Sequence, residues 1–303
     1  MDFEKYHGLG NDFIIFRERA LEKKFSYIQC KSELDKEYSK LALEVCNRNT
    51  GIGSDGMIVL RELTEDTVEM MFYNQDGSRV PMCGNGIRCF SHFIYENKIL
   101  SGKIYKIQTL AGLLTVEINT EDGFKAKVNM GNPIFNLESI PLDKENFLSL
   151  LQKKDKDINE SLDEAINYTI GVNSKEYILS SVFMGTTHAV TFVDSLKEVE
   201  IESVGEIIEN NPIFPKKTNV NFIEIQDKEN IEMKTWERGV GLTLACGTGA
   251  CAAVVIGNMK LGVLNKKVNV HLPIGDLIIE LKESVYMTGP SKLIARGVYY
   301  ETI

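Results

Sequence analysis

Residues 68–86 read Val-Glu-Met-Met-Phe-Tyr-Asn-Gln-Asp-Gly-Ser-Arg-Val-Pro-Met-Cys-Gly-Asn-Gly, and residues 231–249 read Ile-Glu-Met-Lys-Thr-Trp-Glu-Arg-Gly-Val-Gly-Leu-Thr-Leu-Ala-Cys-Gly-Thr-Gly. In each, an alternating apolar run leads through a Gly-containing turn to Cys-Gly-x-Gly. The two cysteines, Cys83 and Cys246, stand 163 residues apart, and the same offset carries Gly112 onto Gly275. Around those glycines Ala-Gly-Leu-Leu-Thr-Val-Glu-Ile answers Ile-Gly-Asp-Leu-Ile-Ile-Glu-Leu. Each half then reaches a related turn, Val128-Asn-Met-Gly-Asn-Pro133 and Val285-Tyr-Met-Thr-Gly-Pro290. The openings correspond more loosely, Tyr6-His-Gly-Leu-Gly-Asn with Phe183-Met-Gly-Thr-Thr-His. A period this long is not that of a stacked repeat, so the chain reads as two related domains.

Working outward, segments 68–73, 113–118, 125–130, 220–225 and 277–281 alternate as strands do. Each repeated cysteine opens a helical segment, Ile87–Glu96 or Ala250–Leu261. The fold class is therefore α+β, each domain a sheet wrapped around a central helix. The domains are expected at 1–132 with 292–303, carrying Cys83, and at 133–291, carrying Cys246. The polar stretch Asp143–Asn173 reads as a surface helix-and-loop insertion.

Composition narrows the function. The chain has 303 residues, 43% hydrophobic and 25% charged, enough for real cores. A net charge of −9 lacks the basic footprint of a nucleic-acid or anionic-lipid binder. No signal peptide or membrane-spanning run is visible, so the expected location is the cytoplasm. There the 6 cysteines do not form a disulfide framework. No pair has metal-ligand spacing, and no metal is expected. Gly51-Ile-Gly-Ser-Asp-Gly56 matches the glycine pattern of dinucleotide sites, but a strand does not precede it and a helix does not follow. It reads as a turn.

The cysteine pair carries the chemistry. Both sit at the first turn of a helix, where the macrodipole is expected to lower a thiol pKa, and both are followed by glycines that admit a ligand close to backbone N–H groups. Cys89 and Cys251 fall deeper in the same helices and read as core, and Cys30 and Cys46 have no such setting. Inverting an amino acid's α-carbon needs a base on one face and an acid on the other. A thiolate and a thiol supply both and exchange roles for the reverse reaction. The helix N-termini can hold the substrate carboxylate. No cofactor is needed by this arrangement.

At these residues the chain resembles the diaminopimelate epimerase family. The matching pieces are His7-Gly-Leu-Gly-Asn-Asp-Phe13, Asn74-Gln-Asp-Gly-Ser78, Cys83-Gly-Asn-Gly-Ile-Arg-Cys89, Thr218-Asn-Val-Asn-Phe222 and Glu237-Arg-Gly-Val-Gly-Leu-Thr-Leu-Ala-Cys-Gly-Thr-Gly249. The resemblance implies two pseudo-symmetric, barrel-like domains of mostly antiparallel sheet, an active site in the cleft between them that closes on a small amino-acid substrate, and a homodimer. It implies that Cys83 and Cys246 are the catalytic acid–bases. Backbone N–H groups at Gly84-Asn85 and Gly247-Thr248 would hold the reacting carboxylate. Asn11, Asn74, Asn219, Glu237 and Arg238 would hold the rest of the substrate, and His188 and Glu237 would tune the thiols. Two departures concern specificity. The family's Gly-Asn-Pro-His is Gly185-Thr-Thr-His188 here, which places Thr186 where an amide is usual, and Gly56 stands where many members have Gln. Conversion of LL- to meso-diaminopimelate is the leading expectation. A racemase of a single-centre amino acid such as histidine, or an enzyme of lanthionine, stands as the alternative.

Overall fold

The computed structural model describes residues 1–28, 30–152 and 163–300. Contacts divide the chain into Met1–Asn129 with Thr288–Ile303, here unit 1, and Met130–Met287, here unit 2.

Unit 1 runs β1 (Asp2–Gly8), β2 (Asn11–Arg17), α1 (Glu18–Phe25), α2 (Lys31–Cys46), β3 (Gly56–Glu62), β4 (Thr67–Asn74), β5 (Arg79–Val80), α3 (Gly84–Glu96), β6 (Ile104–Thr109), β7 (Gly112–Asn119) and β8 (Lys125–Asn129). Unit 2 runs α4 (Lys144–Gln152), β9 (Tyr168–Val172), β10 (Lys175–Phe183), β11 (Thr187–Phe192), α5 (Ile201–Glu209), β12 (Asn219–Ile225), β13 (Asn230–Glu237), β14 (Gly241–Thr243), α6 (Gly247–Val255), β15 (Lys267–Leu272) and β16 (Gly275–Leu281). The boundary back to unit 1 falls within β17 (Val285–Pro290), and β18 (Lys292–Val298) completes unit 1.

The two sheets have one wiring. In unit 1, β1–β2 is antiparallel, β2–β3 parallel, β3–β4 antiparallel, β4–β6 parallel and β6–β7 antiparallel. In unit 2 the same succession links β10, β11, β12, β13, β15 and β16. The sheets are thus mixed, with parallel as well as antiparallel pairs in each. β12, β13, α6, β15 and β16 each begin 163 residues after β3, β4, α3, β6 and β7. The glycine match has a local cause. Gly112 and Gly275 close two-residue hairpin loops at φ of 114° and 142°, a region that L side chains avoid. The loose match of the openings resolves differently. Register sets Phe13 opposite Gly56 and His188 opposite Asn219, so Phe13, rather than Asn11, is the counterpart of His188.

Each sheet wraps its helix. α3 packs against β1, β2, β4, β8 and β18, and every residue from Gly84 to Ile94 is buried. Arg88 lies within it at 0% exposure, donating from Nη1 to the Gly84 carbonyl and from Nε to that of Pro290. α6 packs against β11, β12 and β16, its small residues Ala250, Ala252 and Ala253 fully buried. It continues as a π-helical turn, Ile256–Lys260, where Gly257 lies against Leu264. The helices α1 and α2 cover the other face of the unit 1 sheet through Leu21, Tyr38, Leu41 and Val45. In unit 2, α5 does so through Ile201, Val204 and Ile208.

The stretch 143–173 holds the expected surface helix in α4, whose one buried residue is Phe147, but departs from an insertion at β9. Residues 153–162 lie outside the described residues. On either side, however, α4 buries Phe147 against Tyr168, and β9 pairs with β10. Its alternate residues Tyr168, Ile170 and Val172 are buried, which makes β9 a core strand. Among the described residues, no helix is long and apolar enough to cross a membrane.

Candidate active site

Unit 1 places its candidate residues at the start of α3. Cys83 is the N-cap residue, in extended conformation, and its Sγ accepts the Gly86 N–H at 3.4 Å. The thiol is half-buried. The first N–H groups of any helix have no partner inside it, so Gly84 and Asn85 present theirs beside this sulfur. Asn85 is 6% exposed; its Nδ2 donates to Asn11 Oδ1, and its own buried Oδ1 has no protein partner. Asn11 in turn donates to Asp55 Oδ2 at 3.2 Å. Arg48 bridges Asp55 and Asp12 at 2.8 and 2.9 Å, and Lys5 closes on Asp12 at 2.8 Å. Burial alone would raise the Asp12 pKa, but hydrogen bonds and charge from Arg48 and Lys5 outweigh it and hold the carboxyl below its usual range. The result is a charged bracket behind two of the expected substrate-binding amides.

Asn74 ends β4 and donates to Ser78 Oγ at 3.1 Å. Gly56 is buried, and a Cβ there would stand 2.5 Å from the Phe72 ring and 2.8 Å from the Tyr73 carbonyl. It is a close-packing glycine here, and a longer side chain enters only if Phe72 moves.

Unit 2 places its candidate residues at the start of α6. Cys246 is again the N-cap residue, 5% exposed, with Sγ 3.6 Å from Thr248 Oγ1. Contrary to the expected lowering, its pKa is raised. Burial disfavours the thiolate most, the Glu237 charge adds to that, and contacts from Thr248 and the Gly249 N–H offset only part. Glu237 accepts from Thr243 Oγ1 at 2.7 Å. Asn219 is 6% exposed, donating to the Thr187 carbonyl at 3.1 Å and accepting the Arg238 N–H at 3.0 Å. The Arg238 guanidinium is exposed and touches the Lys216 carbonyl at 3.2 Å. Thr186 lies in the β10–β11 turn, where the Cβ position of Gly185 is 4.0 Å from Thr248 Cγ2, so this turn sits beside the start of α6. His188 is fully buried, and burial first and Arg238 second push its pKa down to about 3.

Sequence reasoning missed Asp12, Arg48 and Asp55 in unit 1, and Asn221 and Thr235 in unit 2. Asp55 was visible inside the glycine-rich turn. Asn221 was visible two residues beyond Asn219, on the same face of a strand. Cys89 and Cys251 are fully buried, and desolvation pushes the Cys89 thiol up to about 12.

Residues 3–136 and 180–294 match the model of the family described as diaminopimelate epimerase. The chain is 42% identical to a diaminopimelate epimerase of Halothermothrix orenii, over 98% of this chain and 97% of that protein. It is 38% identical to one of Methanothermobacter thermautotrophicus, over 98% and 97%. Among solved structures, a hydroxyproline epimerase from Agrobacterium vitis with bound trans-4-hydroxy-L-proline shares the fold. Its TM-score is 0.64, at 12% identity, covering 98% of this chain and 90% of that one. A Bacillus anthracis phenazine biosynthesis protein of the PhzF family has a TM-score of 0.61 at 15% identity, covering 98% of each chain.

Proposed function

The chain belongs to the diaminopimelate epimerase family, and from that premise we propose that it interconverts LL- and meso-diaminopimelate without a cofactor, as an isomerase of two thiols. The observation that carries this reading is the twinned placement of Cys83 and Cys246, each capping the central helix of its own unit ahead of a glycine.

One thiolate takes the α-hydrogen, breaking Cα–H and forming S–H. The other thiol returns a proton to the opposite face, breaking S–H and forming Cα–H. No oxidant or reductant enters. Burial and the Glu237 charge disfavour the Cys246 thiolate, and the two thiols exchange the roles of acid and base between the forward and reverse directions. The N–H groups at Gly84-Asn85 and Gly247-Thr248 bind the α-carboxylate and the charge that develops beside it. At the distal end Arg238 pairs with the second carboxylate. Glu237 takes the ammonium, and Asn11, Asn74 and Asn219 add hydrogen bonds. Thr186 offers a hydroxyl where an amide is usual in the family, so lanthionine, which keeps both ends, and L-histidine belong in the substrate panel.

The protein acts on this small molecule in the cytoplasm as a homodimer. β18 supports the dimer: five of its seven residues are exposed although neighbours alternate between faces, and Ile294 and Val298 are among them.

The test is turnover of LL-diaminopimelate by the purified protein in deuterium oxide, with label appearing at the inverted carbon. Cys83→Ala and Cys246→Ala should each cut inversion by about 10³-fold or more. Diaminopimelate left untouched while L-histidine is racemised overturns the substrate. Near-wild-type inversion by either variant overturns the mechanism.

A further inference from the structure

Matched by register, the two units differ directly beneath their capping cysteines. In unit 1 the layer is hydrocarbon. Phe13 lies opposite Gly56, Ile58 opposite Phe72, and the Phe13 and Phe72 rings meet edge to face at 5.7 Å. Ile58 Cδ1 is 3.6 Å from the Cβ position of Gly86. In unit 2 the equivalent positions hold His188, Asn221 and Thr235, exposed by 0%, 0% and 2%. Asn221 Oδ1 takes the place of Ile58, 2.3 Å from the Cβ position of Gly249, while Cys246 Sγ is 3.2 Å from that same position. Unit 1 demonstrates that this layer closes with apolar side chains alone. Burying three polar groups instead is unfavourable unless they are bonded, and the architecture does not require it.

Hydrogen bonding fixes how the trio is oriented. Asn221 Nδ2 stands 3.3 Å from the Ala189 carbonyl, which can only accept, and Thr235 Oγ1 donates to Asn221 Oδ1 at 3.1 Å. The amide therefore cannot be turned over. Its Nδ2 is also 3.1 Å from His188 Nδ1. Nδ1 is thus the acceptor of a neutral ring, and the ring proton sits on Nε2. Nε2 is buried and has no protein partner. A buried N–H without a protein acceptor is costly, so an acceptor from outside the chain must offset it.

We propose that Asn221 is a positioning residue that locks His188 as the Nε2–H tautomer, so that His188 meets the anionic substrate as a hydrogen-bond donor and not as a base. Depression of the imidazole pKa by burial agrees, since a ring that stays neutral remains a donor on one nitrogen only. This rests on the epimerase reading above.

The experiment is nitrogen NMR of ¹⁵N-histidine-labelled protein, which has 4 histidines to assign. In the wild type, His188 Nε2 should resonate as protonated and Nδ1 as unprotonated. The reverse pattern overturns the proposal whatever the enzyme's substrate. Asn221→Asp, nearly isosteric, accepts where the amide donated. It should move the proton to Nδ1 and lower kcat by about tenfold or more. A moved proton with wild-type kcat overturns the functional half. If that variant does not fold, His188→Gln and His188→Leu decide the matter. Glutamine keeps an N–H donor near Nε2 without a base and should stay within about tenfold of wild type, whereas leucine should lose about a hundredfold. Equal losses overturn the donor role. Turnover of LL-diaminopimelate is measured first on the wild type. Its failure sinks the substrate assignment and leaves the ring spectrum to judge this inference.

Discussion

Cys246 is 5% exposed and its thiol is pushed up by burial, then by the Glu237 charge, whereas the Cys83 thiol is half-buried and accepts an N–H of its own helix. Two residues of one type at equivalent positions thus sit in unlike surroundings. His188 extends the point to stability. Its imidazole titrates near 6.5 when exposed and at about 3 in the fold. Between those values the unfolded chain binds a proton that the folded chain refuses. Stability therefore rises with pH through that window and is lost as pH falls, by at most about 1.4 kcal/mol per unit for this group. His7 and His92, lowered chiefly by burial, share the direction. His188→Gln should accordingly lose less Tm than the wild type between pH 7 and pH 4. Parallel Tm curves for the two proteins would refute the buried neutral ring.

The helices α3 and α6 start with the same Cys-Gly-x-Gly pattern, yet their third residues tolerate change differently. A methyl at Gly86 would meet its nearest neighbours at 3.4 Å, ordinary contact, and alanine favours a helix over glycine. A methyl at Gly249 would stand 2.3 Å from Asn221 Oδ1. Gly86→Ala should leave urea stability within about 1 kcal/mol of wild type, and Gly249→Ala should lose roughly 1–3 kcal/mol with most of the activity. Equal effects would mean that the layer beneath the two helices is not as asymmetric as its side chains indicate. The Asp12–Arg48–Asp55 bracket is likewise a tertiary object: it joins β2 to two points of the segment between α2 and β3.

Across the whole molecule, repetition explains the order of pairings, and the final strand carries the proposed dimer contact. β18 returns to pair with β1, so the two ends of the chain complete one sheet. Its exposed apolar residues are the expected dimer contact. Sedimentation should give about twice the 34.1 kDa chain mass for the wild type and the single-chain mass for Ile294→Asp combined with Val298→Asp. A wild type that sediments as a monomer would remove the dimer.

The repeated strand–turn–cysteine segment, its offset and the glycines of the hairpins were legible in the sequence, because strand alternation, turn chemistry and helix starts are local properties of successive residues. From them followed the α+β class, the twofold organisation and the two cysteines. Whether a capping thiol is raised or lowered, and whether Gly56 is open or filled by Phe72, depended on atoms distant in sequence. So did the meeting of Asn221 with His188 across 33 residues of chain. Burial and hydrogen-bond partners are set only when the sheet closes around its helix, and those long-range contacts give one repeated pattern two unlike surroundings.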